Sequence, residues 1–200
     1  MNKKIRLSFS YIAINGITLY RLVSTVFLVY LIVKGNIDLF KWLLAVSFFT
    51  DAIDGFLARR FKVVSELGSR MDSIADDLTI LVAMVGLYFF KYDFLKQHYI
   101  YFIILLGLFV MQNAVAVIRY RRFTSFHTLL AKMAAILQGC FLILIFFLPQ
   151  PLMFLFYSAV AITAIQLLEE IILVFILPGW QMDVKGIYWI LKKKGRVPTR

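Results

Sequence analysis

The sequence predicts an all-α membrane protein with six transmembrane helices and with both termini in the cytoplasm. Three observations lead to this fold class. Hydrophobic residues make up 62% of the 200 residues and charged residues only 16%, whereas a soluble domain has about 45–50% and about 25%. The apolar residues form long runs, and a helix crosses a bilayer with about 20 such residues. The runs are also too long and too continuously apolar for the alternating strands of a membrane β-barrel.

The predicted spans are separated by short breaks rich in Gly, Pro and charged residues. The first break is Lys34-Gly35-Asn36 and the last is Pro149-Gln150-Pro151, both typical of turns. In chain order the spans cover residues 10–33, 38–58, 70–90, 98–118, 126–148 and 152–177. They form one six-helix domain over residues 1–180. A basic tail over residues 181–200 follows, and we expect it to lie at the cytoplasmic membrane interface or to be disordered.

Basic residues orient the chain, because cytoplasmic segments of membrane proteins carry an excess of Lys and Arg. With the N-terminus in the cytoplasm, fifteen of the 22 basic residues lie in cytoplasmic segments, four lie outside and three lie within spans. The net charge of +11 therefore marks topology and calls for no nucleic-acid partner. The single cysteine, Cys140, excludes a disulfide framework. We expect an integral protein of a bacterial-type inner or plasma membrane.

Carboxylates within the spans are the most informative feature, because each costs about 2.5–3.5 kcal/mol to insert. Asp51 and Asp54 are three residues apart in the second span, and Asp72 and Asp76 are four apart in the third. Each pair shares a helix face, and the short connection brings the pairs together at similar depth. Four carboxylates so close need cations among them. Oxygen ligands without His or Cys favour Mg²⁺ or Mn²⁺.

Two alternatives for these aspartates remain open, namely salt bridges to nearby arginines and a cation path through a transporter. Small residues beside the aspartates favour a ligand site, because Gly55, Ala58 and Gly68 leave smooth helix faces against which a ligand can pack. In the sixth span we expect at least one of Glu169 and Glu170 to face the bundle interior or a dimer interface rather than lipid.

The residues from Asp51 to Asp76 match every fixed position of the motif D-x2-D-G-x2-A-R-x8-G-x3-D-x3-D. This motif and the six spans resemble the CDP-alcohol phosphatidyltransferase family, whose members are six-span membrane enzymes and often homodimers. The segment from Asn15 to Arg21 is similar to the N-x-x-T-x-x-R of the family's first span. Within the family the resemblance is to members that make phosphatidylglycerol phosphate or phosphatidylinositol phosphate.

The resemblance implies transfer of a phosphatidyl group from CDP-diacylglycerol to the hydroxyl of a small alcohol, with release of CMP. It implies two Mg²⁺ or Mn²⁺ ions on the cytoplasmic side, one held by Asp51, Asp54 and Asp72 and the other by Asp51, Asp72 and Asp76. Asp76 would also be the general base. The CDP-lipid would be bound by Asn15, Gly16, Ile17, Thr18, Gly55, Ala58, Arg59, Ser65 and Gly68.

The acceptor alcohol is less well defined by the sequence. Glycerol 3-phosphate is the first choice, because a phosphorylated acceptor needs fixed positive charge and the chain offers Arg119, Arg121 and Lys132. Alternatively, the arginines only set topology and Lys132 pairs with Asp77 or Glu170. Inositol phosphate, inositol, serine and phosphatidylglycerol are alternative acceptors. A cation transporter is the non-enzyme alternative, although the sequence shows no internal repeat of the kind many transporters have.

Overall fold

A computed structural model describes the backbone at residues 3–61, 66–121, 126, 128–179, 184 and 186–194, and side chains at residues 16, 19–50, 53, 74–121, 126, 128–179, 184, 186–190 and 192. The backbone of these residues is helical apart from short turns. The helices, in chain order, are α1 (Lys3–Val33), α2 (Ile37–Phe61), α3 (Glu66–Phe90), α4 (Tyr92–Tyr120), α5 (Leu129–Phe147), α6 (Met153–Ile176) and α7 (Ile187–Lys194).

The all-α fold class is confirmed for the described part of the chain, and each predicted span coincides with one of the helices α1 to α6. Four helices, α1 to α4, extend beyond the apolar runs. The first helix begins at Lys3, because Lys and Arg favour helix and a helix need not end where its apolar residues end. For the same reason α2 continues to Phe61 and includes Arg59, which lies just beyond the predicted end of the second span at residue 58. The short helix α7, within the predicted tail, was not predicted.

Three helices of the described chain are long and apolar enough to cross a membrane, namely α4, α5 and α6. Residues Leu19–Val33 of α1 form a shorter apolar segment. Large apolar side chains point outward from several helices, and Phe154 of α6 is 87% exposed. Large contiguous apolar surfaces are rare on monomeric soluble proteins but are what lipid contact requires. The described helices therefore fit an integral membrane protein, and the count of six spans stays a prediction.

The chain folds as two compact units, residues 1–96 and residues 97–200. In the first unit, α1 packs against both α2 and α3, and its core includes Leu28, Phe40 and Leu44. In the second unit, α5 and α7 both pack against α6. The buried Phe156 lies at the centre of an aromatic group there, with its ring centroid 5.1 Å from that of His98 and 5.2 Å from that of Phe141.

Capping interactions at the breaks explain where the helices end. Gly35 adopts a positive φ of 68°, and the next amide, Asn36 N, donates to Leu31 O at 3.0 Å, which is the hydrogen bond of a Schellman C-cap. The Asn36 side chain then accepts from Leu39 N at 3.1 Å and starts α2. Thr128 similarly starts α5, because its side chain accepts from Ala131 N. The predicted turn at residues 34–36 is thereby confirmed.

Candidate active site

Asp76, the predicted general base, forms an ion pair with Arg21 across the contact between α1 and α3. The Arg21 Nη2 atom donates to Asp76 Oδ1. The Arg21 side chain is 2% exposed, whereas that of Asp76 is 39% exposed. A buried arginine requires such a partner, because an unpaired charge in an apolar interior is costly. The Asp76 side chain is therefore only partly covered by the rest of the protein.

Small hydroxyl side chains surround the turn of α1 that carries Arg21. Ser24 and Thr25 donate to the Arg21 carbonyl oxygen at 2.9 Å and 2.8 Å. Ser24 Oγ also lies 3.1 Å from Ser47 Oγ on α2, and on α3 Thr79 donates to Ala75 O at 2.7 Å. Small polar residues let membrane helices approach closely and satisfy one another's hydrogen bonds. Buried hydroxyl groups of Ser24 and Ser47 therefore link α1 to α2, and the buried Thr79 hydroxyl bonds within α3.

The other predicted metal ligands lie on two helices that pack against each other, α2 and α3. The backbone of α2 is continuously helical through Asp51 and Asp54, and that of α3 through Asp72 and Asp76, so each pair lies within one or two turns. The side chains of Asp51, Asp54 and Asp72 lie outside the described residues. Among the described side chains no group of three or more His, Cys, Asp or Glu residues could hold a metal ion. Metal ligation therefore stays a prediction.

The chemistry of this donor set nevertheless fits divalent ions. All four candidates are carboxylates, which are the oxygen ligands that Mg²⁺ and Mn²⁺ prefer. The one whose side chain is described, Asp76, is partly exposed rather than enclosed. The neighbouring Asp77 is also exposed, but it occupies a different position around α3, about 100° from Asp76.

Most residues predicted to bind the CDP-lipid lie outside the described side chains. Their backbone positions are on α1 for Asn15, Ile17 and Thr18, on α2 for Gly55, Ala58 and Arg59, and on α3 for Gly68, while Ser65 lies outside the described residues altogether. Gly16 is described and exposed, and a Cβ atom there would meet no described atom within 4 Å. The surface at Gly16 is therefore open.

The predicted acceptor residues are all exposed in the second unit. Arg119 Nη2 lies 3.4 Å from Leu177 O, and its guanidinium is 5.9 Å from the centre of the Tyr120 ring. Arg121 follows the end of α4 with a positive φ of 54°, an uncommon backbone conformation for a residue other than glycine. No ion pair of Lys132 occurs among the described side chains. An anion site formed by these three residues stays a prediction.

Glu170 is buried inside the second unit, which confirms the expectation that one of the two glutamates faces the interior. Its side chain is 7% exposed. Gln112 on α4 donates to Glu170 Oε2 at 2.9 Å, and Gln166 on α6 donates to Glu170 Oε1 at 2.5 Å. Each carboxylate oxygen therefore accepts a hydrogen bond from an amide group. The partners of Glu170 are glutamines, so the alternative pairing of Lys132 with Glu170 is not observed.

Glu169 has a different role, because its carboxylate lies at the start of α7. Glu169 Oε1 accepts from the backbone N–H of Ile187 at 3.1 Å, where a negative charge also interacts favourably with the helix dipole. Gly186 precedes α7 with a φ of 132°, and a Cβ there would lie 2.9 Å from Glu169 Oε1. The residues Ile187 and Ile190 pack against a buried cluster that includes Leu173 and Val184. The sequence analysis did not predict this contact. A carboxylate within an apolar helix indicates that a polar partner lies nearby, but it does not identify that partner.

Comparison with known proteins adds one match. A family model described as CDP-alcohol phosphatidyltransferase matches residues 12–175. The matched segment contains the whole of the motif from Asp51 to Asp76 and extends from α1 nearly to the end of α6. No solved structure matches the chain.

Proposed function

Because the chain belongs to the CDP-alcohol phosphatidyltransferase family, and is therefore a membrane transferase of substituted phosphate groups, we propose that it moves a phosphatidyl group from CDP-diacylglycerol to glycerol 3-phosphate and releases CMP. The family assignment favours a catalytic role over cation transport for the acidic residues within the predicted spans. The observation that supports a reaction at these acids is the partly exposed side chain of Asp76, which forms an ion pair with a buried arginine.

In the proposed mechanism the four aspartates bind the divalent ions that the family uses. Bound Mg²⁺ or Mn²⁺ would neutralise the diphosphate and the charge that develops on the departing CMP. Asp51, Asp54, Asp72 and Asp76 are the proposed ligands, and Asp76 takes the proton of the attacking hydroxyl group. Arg59 suits the diphosphate, because its guanidinium presents paired N–H donors. The segment from Asn15 to Thr18, together with Gly55, Ala58, Ser65 and Gly68, is proposed to bind the CDP moiety.

An acceptor screen tests this proposal directly. Purified protein is given radiolabelled CDP-diacylglycerol and Mn²⁺ or Mg²⁺, with glycerol 3-phosphate, inositol phosphate, inositol, serine or phosphatidylglycerol added one at a time. We expect a labelled phosphatidyl product and CMP with glycerol 3-phosphate. Product formation with serine or free inositol alone would leave the chemistry intact but contradict the choice of a phosphorylated acceptor.

Replacing Arg119 or Lys132 by Ala should raise the KM for glycerol 3-phosphate about tenfold and leave the KM for CDP-diacylglycerol nearly unchanged. A phosphorylated acceptor needs fixed positive charge beside an acidic, metal-binding centre, and a charge-assisted hydrogen bond is worth about 1.5–3 kcal/mol. Steady-state kinetics with each substrate varied in turn measure both constants. Lys96→Ala, which removes a basic residue on the predicted outer side, is the matched control. Unchanged acceptor constants in both variants would show that these residues only set topology.

The active site is proposed to face the cytoplasm, with six spans and both termini inside. In a Cys140→Ala background, cysteines at positions 63 and 121 should react with a membrane-impermeant maleimide only when the cytoplasmic face is exposed. Cysteines at positions 34 and 150 should react from the outside. The excess of basic residues in the predicted cytoplasmic segments underlies this expectation. Labelling of position 121 from the outside would reverse the orientation.

The proposal also includes a C-terminal tail at the membrane interface and a homodimeric state. Tyr188 and Trp189 are exposed on α7, and Lys192 Nζ lies 5.7 Å and 5.9 Å from their ring centres. Aromatic and basic residues together are typical of a membrane interface with anionic lipid, so we place the tail of residues 181–200 there. A homodimer is proposed from the family resemblance.

A further inference from the structure

We propose that Gln112 and Glu170 are positioning residues for the acceptor. Their hydrogen bond fixes the register of α4 against α6, and this register places Arg119 where it can bind the acceptor phosphate. The inference rests on the proposed role of Arg119 in the acceptor site. It starts from two contacts within the second unit. Gln112 Nε2 donates to Glu170 Oε2 at 2.9 Å, and Arg119 Nη2 lies 3.4 Å from Leu177 O.

The contacts between α4 and α6 keep one register along both helices. The two hydrogen bonds just described each join residues that are 58 positions apart in sequence. Nearer the start of both helices, the rings of His98 and Phe156 make contact at the same separation, with their centroids 5.1 Å apart. Residue numbers therefore rise together along two parallel helices. The contacts recur at a heptad spacing, which returns to the same face of a helix.

The buried polar pair is the part of this contact that specifies register. Gln112 is 3% exposed and Glu170 is 7% exposed, and Gln166 also donates to Glu170, at Oε1. A shift of α4 along α6 would break the hydrogen bond between Gln112 and Glu170 inside an apolar interior, which is costly. Apolar contacts tolerate such a shift better, because the hydrophobic effect is not directional. A buried polar residue sets the register of coiled coils for the same reason.

At the end of α6 the same register determines the position of Arg119. Tyr120 donates to Val174 O at 2.9 Å and to Leu177 O at 3.0 Å. Together with Arg119 it binds the last carbonyl groups of α6, which lack partners within the helix. Arg119 is exposed, and a guanidinium has five N–H donors, so its contact with Leu177 is compatible with binding a phosphate group. Because a displacement of about 1 Å can cost about 10²-fold in rate, a register shift would weaken the use of the acceptor.

The test compares the variants Glu170→Leu, Gln112→Leu and Glu170→Gln by steady-state kinetics. We expect each leucine variant to raise the KM for glycerol 3-phosphate about fivefold, with kcat and the KM for CDP-diacylglycerol within about twofold of wild type. Glu170→Gln should keep all three constants within about twofold, because two amide groups can still form a hydrogen bond with each other. In an Arg119→Ala background, Glu170→Leu should cause no further rise in the KM for glycerol 3-phosphate.

A distance measurement tests the register independently of turnover. Spin labels are attached to the purified protein through Ile118→Cys on α4 and Phe175→Cys on α6, in a Cys140→Ala background. Both positions are exposed. Electron paramagnetic resonance should show a shifted or broadened distance distribution in Glu170→Leu. An unchanged distribution in this variant would overturn the inference.

Gln138→Leu is the matched control. Gln138 on α5 donates to Thr163 Oγ1 on α6 at 2.6 Å, so this variant removes a polar contact of the same helix with α5 rather than α4. The KM for glycerol 3-phosphate and the label distance should both match wild type.

Two kinetic results would overturn the inference, namely a wild-type KM for glycerol 3-phosphate in both leucine variants and an equal rise of this KM in Gln138→Leu. If Glu170→Leu does not fold, Gln112→Leu decides both the kinetic and the distance test. An unchanged KM in Arg119→Ala would contradict the proposed acceptor site itself. A raised KM in Arg119→Ala, beside wild-type values in both leucine variants, would contradict only the positioning role of Gln112 and Glu170.

Discussion

Replacement of Asp76 by Asn is expected to lower turnover by about a thousandfold or more while the protein remains folded. The amide can neither take a proton from the acceptor nor supply a charged metal ligand, and both losses act mainly on the transition state. Asp51→Asn and Asp72→Asn should be comparably impaired, because each removes a proposed ligand. Release of labelled CMP from CDP-diacylglycerol measures turnover, and gel filtration in detergent reports folding.

Asp77→Asn is the matched control, since it makes the same chemical change one residue along α3. Asp77 is exposed and does not share the position of Asp76 around the helix, so turnover should stay within about threefold of wild type. Excess EDTA should abolish wild-type activity, and Mn²⁺ or Mg²⁺ should restore it. Full activity in EDTA, or an equal loss in Asp76→Asn and Asp77→Asn, would show that the acidic cluster is wrongly assigned.

Gly186→Ala should release α7 from the second unit. Gly186 has a φ of 132°, which an L-residue adopts only at a cost of about 1–3 kcal/mol. The added methyl group would also lie 2.9 Å from Glu169 Oε1. The carboxylate would therefore have to move away from the backbone N–H of Ile187, from which it accepts a hydrogen bond. A cost of about 1.4 kcal/mol changes a population tenfold. Hydrogen exchange of the amides at residues 187–194 should therefore accelerate by at least about tenfold.

Gly179→Ala provides the control for this variant. A Cβ at Gly179 would meet no described atom within 4 Å, and its φ lies outside the left-handed region. Amide exchange in α7 should therefore match the wild-type rate. Equal protection of α7 in Gly186→Ala and Gly179→Ala would mean that the contact between Glu169 and Ile187 does not hold the helix.

The sequence predicted the helices well because long apolar runs have few alternatives in a membrane. It also located the acidic motif, whose spacing can be read without a structure. The partner of Arg21 could not be predicted in the same way. A buried arginine requires an acidic partner, but several aspartates on α2 and α3 satisfy that requirement equally in the sequence, and the contact with Asp76 follows from the packing of α1 against α3.

The helix α7 was not predicted from the sequence, for a different physical reason. Eight residues are too few to form a stable helix alone, and its sequence contains three consecutive lysines. Its stability comes from contacts distant in sequence, with Glu169 at its start and with a cluster that includes Leu173 and Val184. Glu170 was the easier case, because a carboxylate in an apolar helix is expected to turn inward.

The ion pair between Arg21 and Asp76 also bears on how the protein is made. In the proposed six-span arrangement, Arg21 leaves the ribosome 55 residues ahead of Asp76. Until α3 is synthesised, the ion pair with Asp76 cannot form, and an arginine within a span costs about 2.5–3.5 kcal/mol to insert. During that time, burial of the apolar segment Leu19–Val33 in lipid offsets this cost. In that arrangement we expect the contact between α1 and α3 to form only after the third helix has been synthesised.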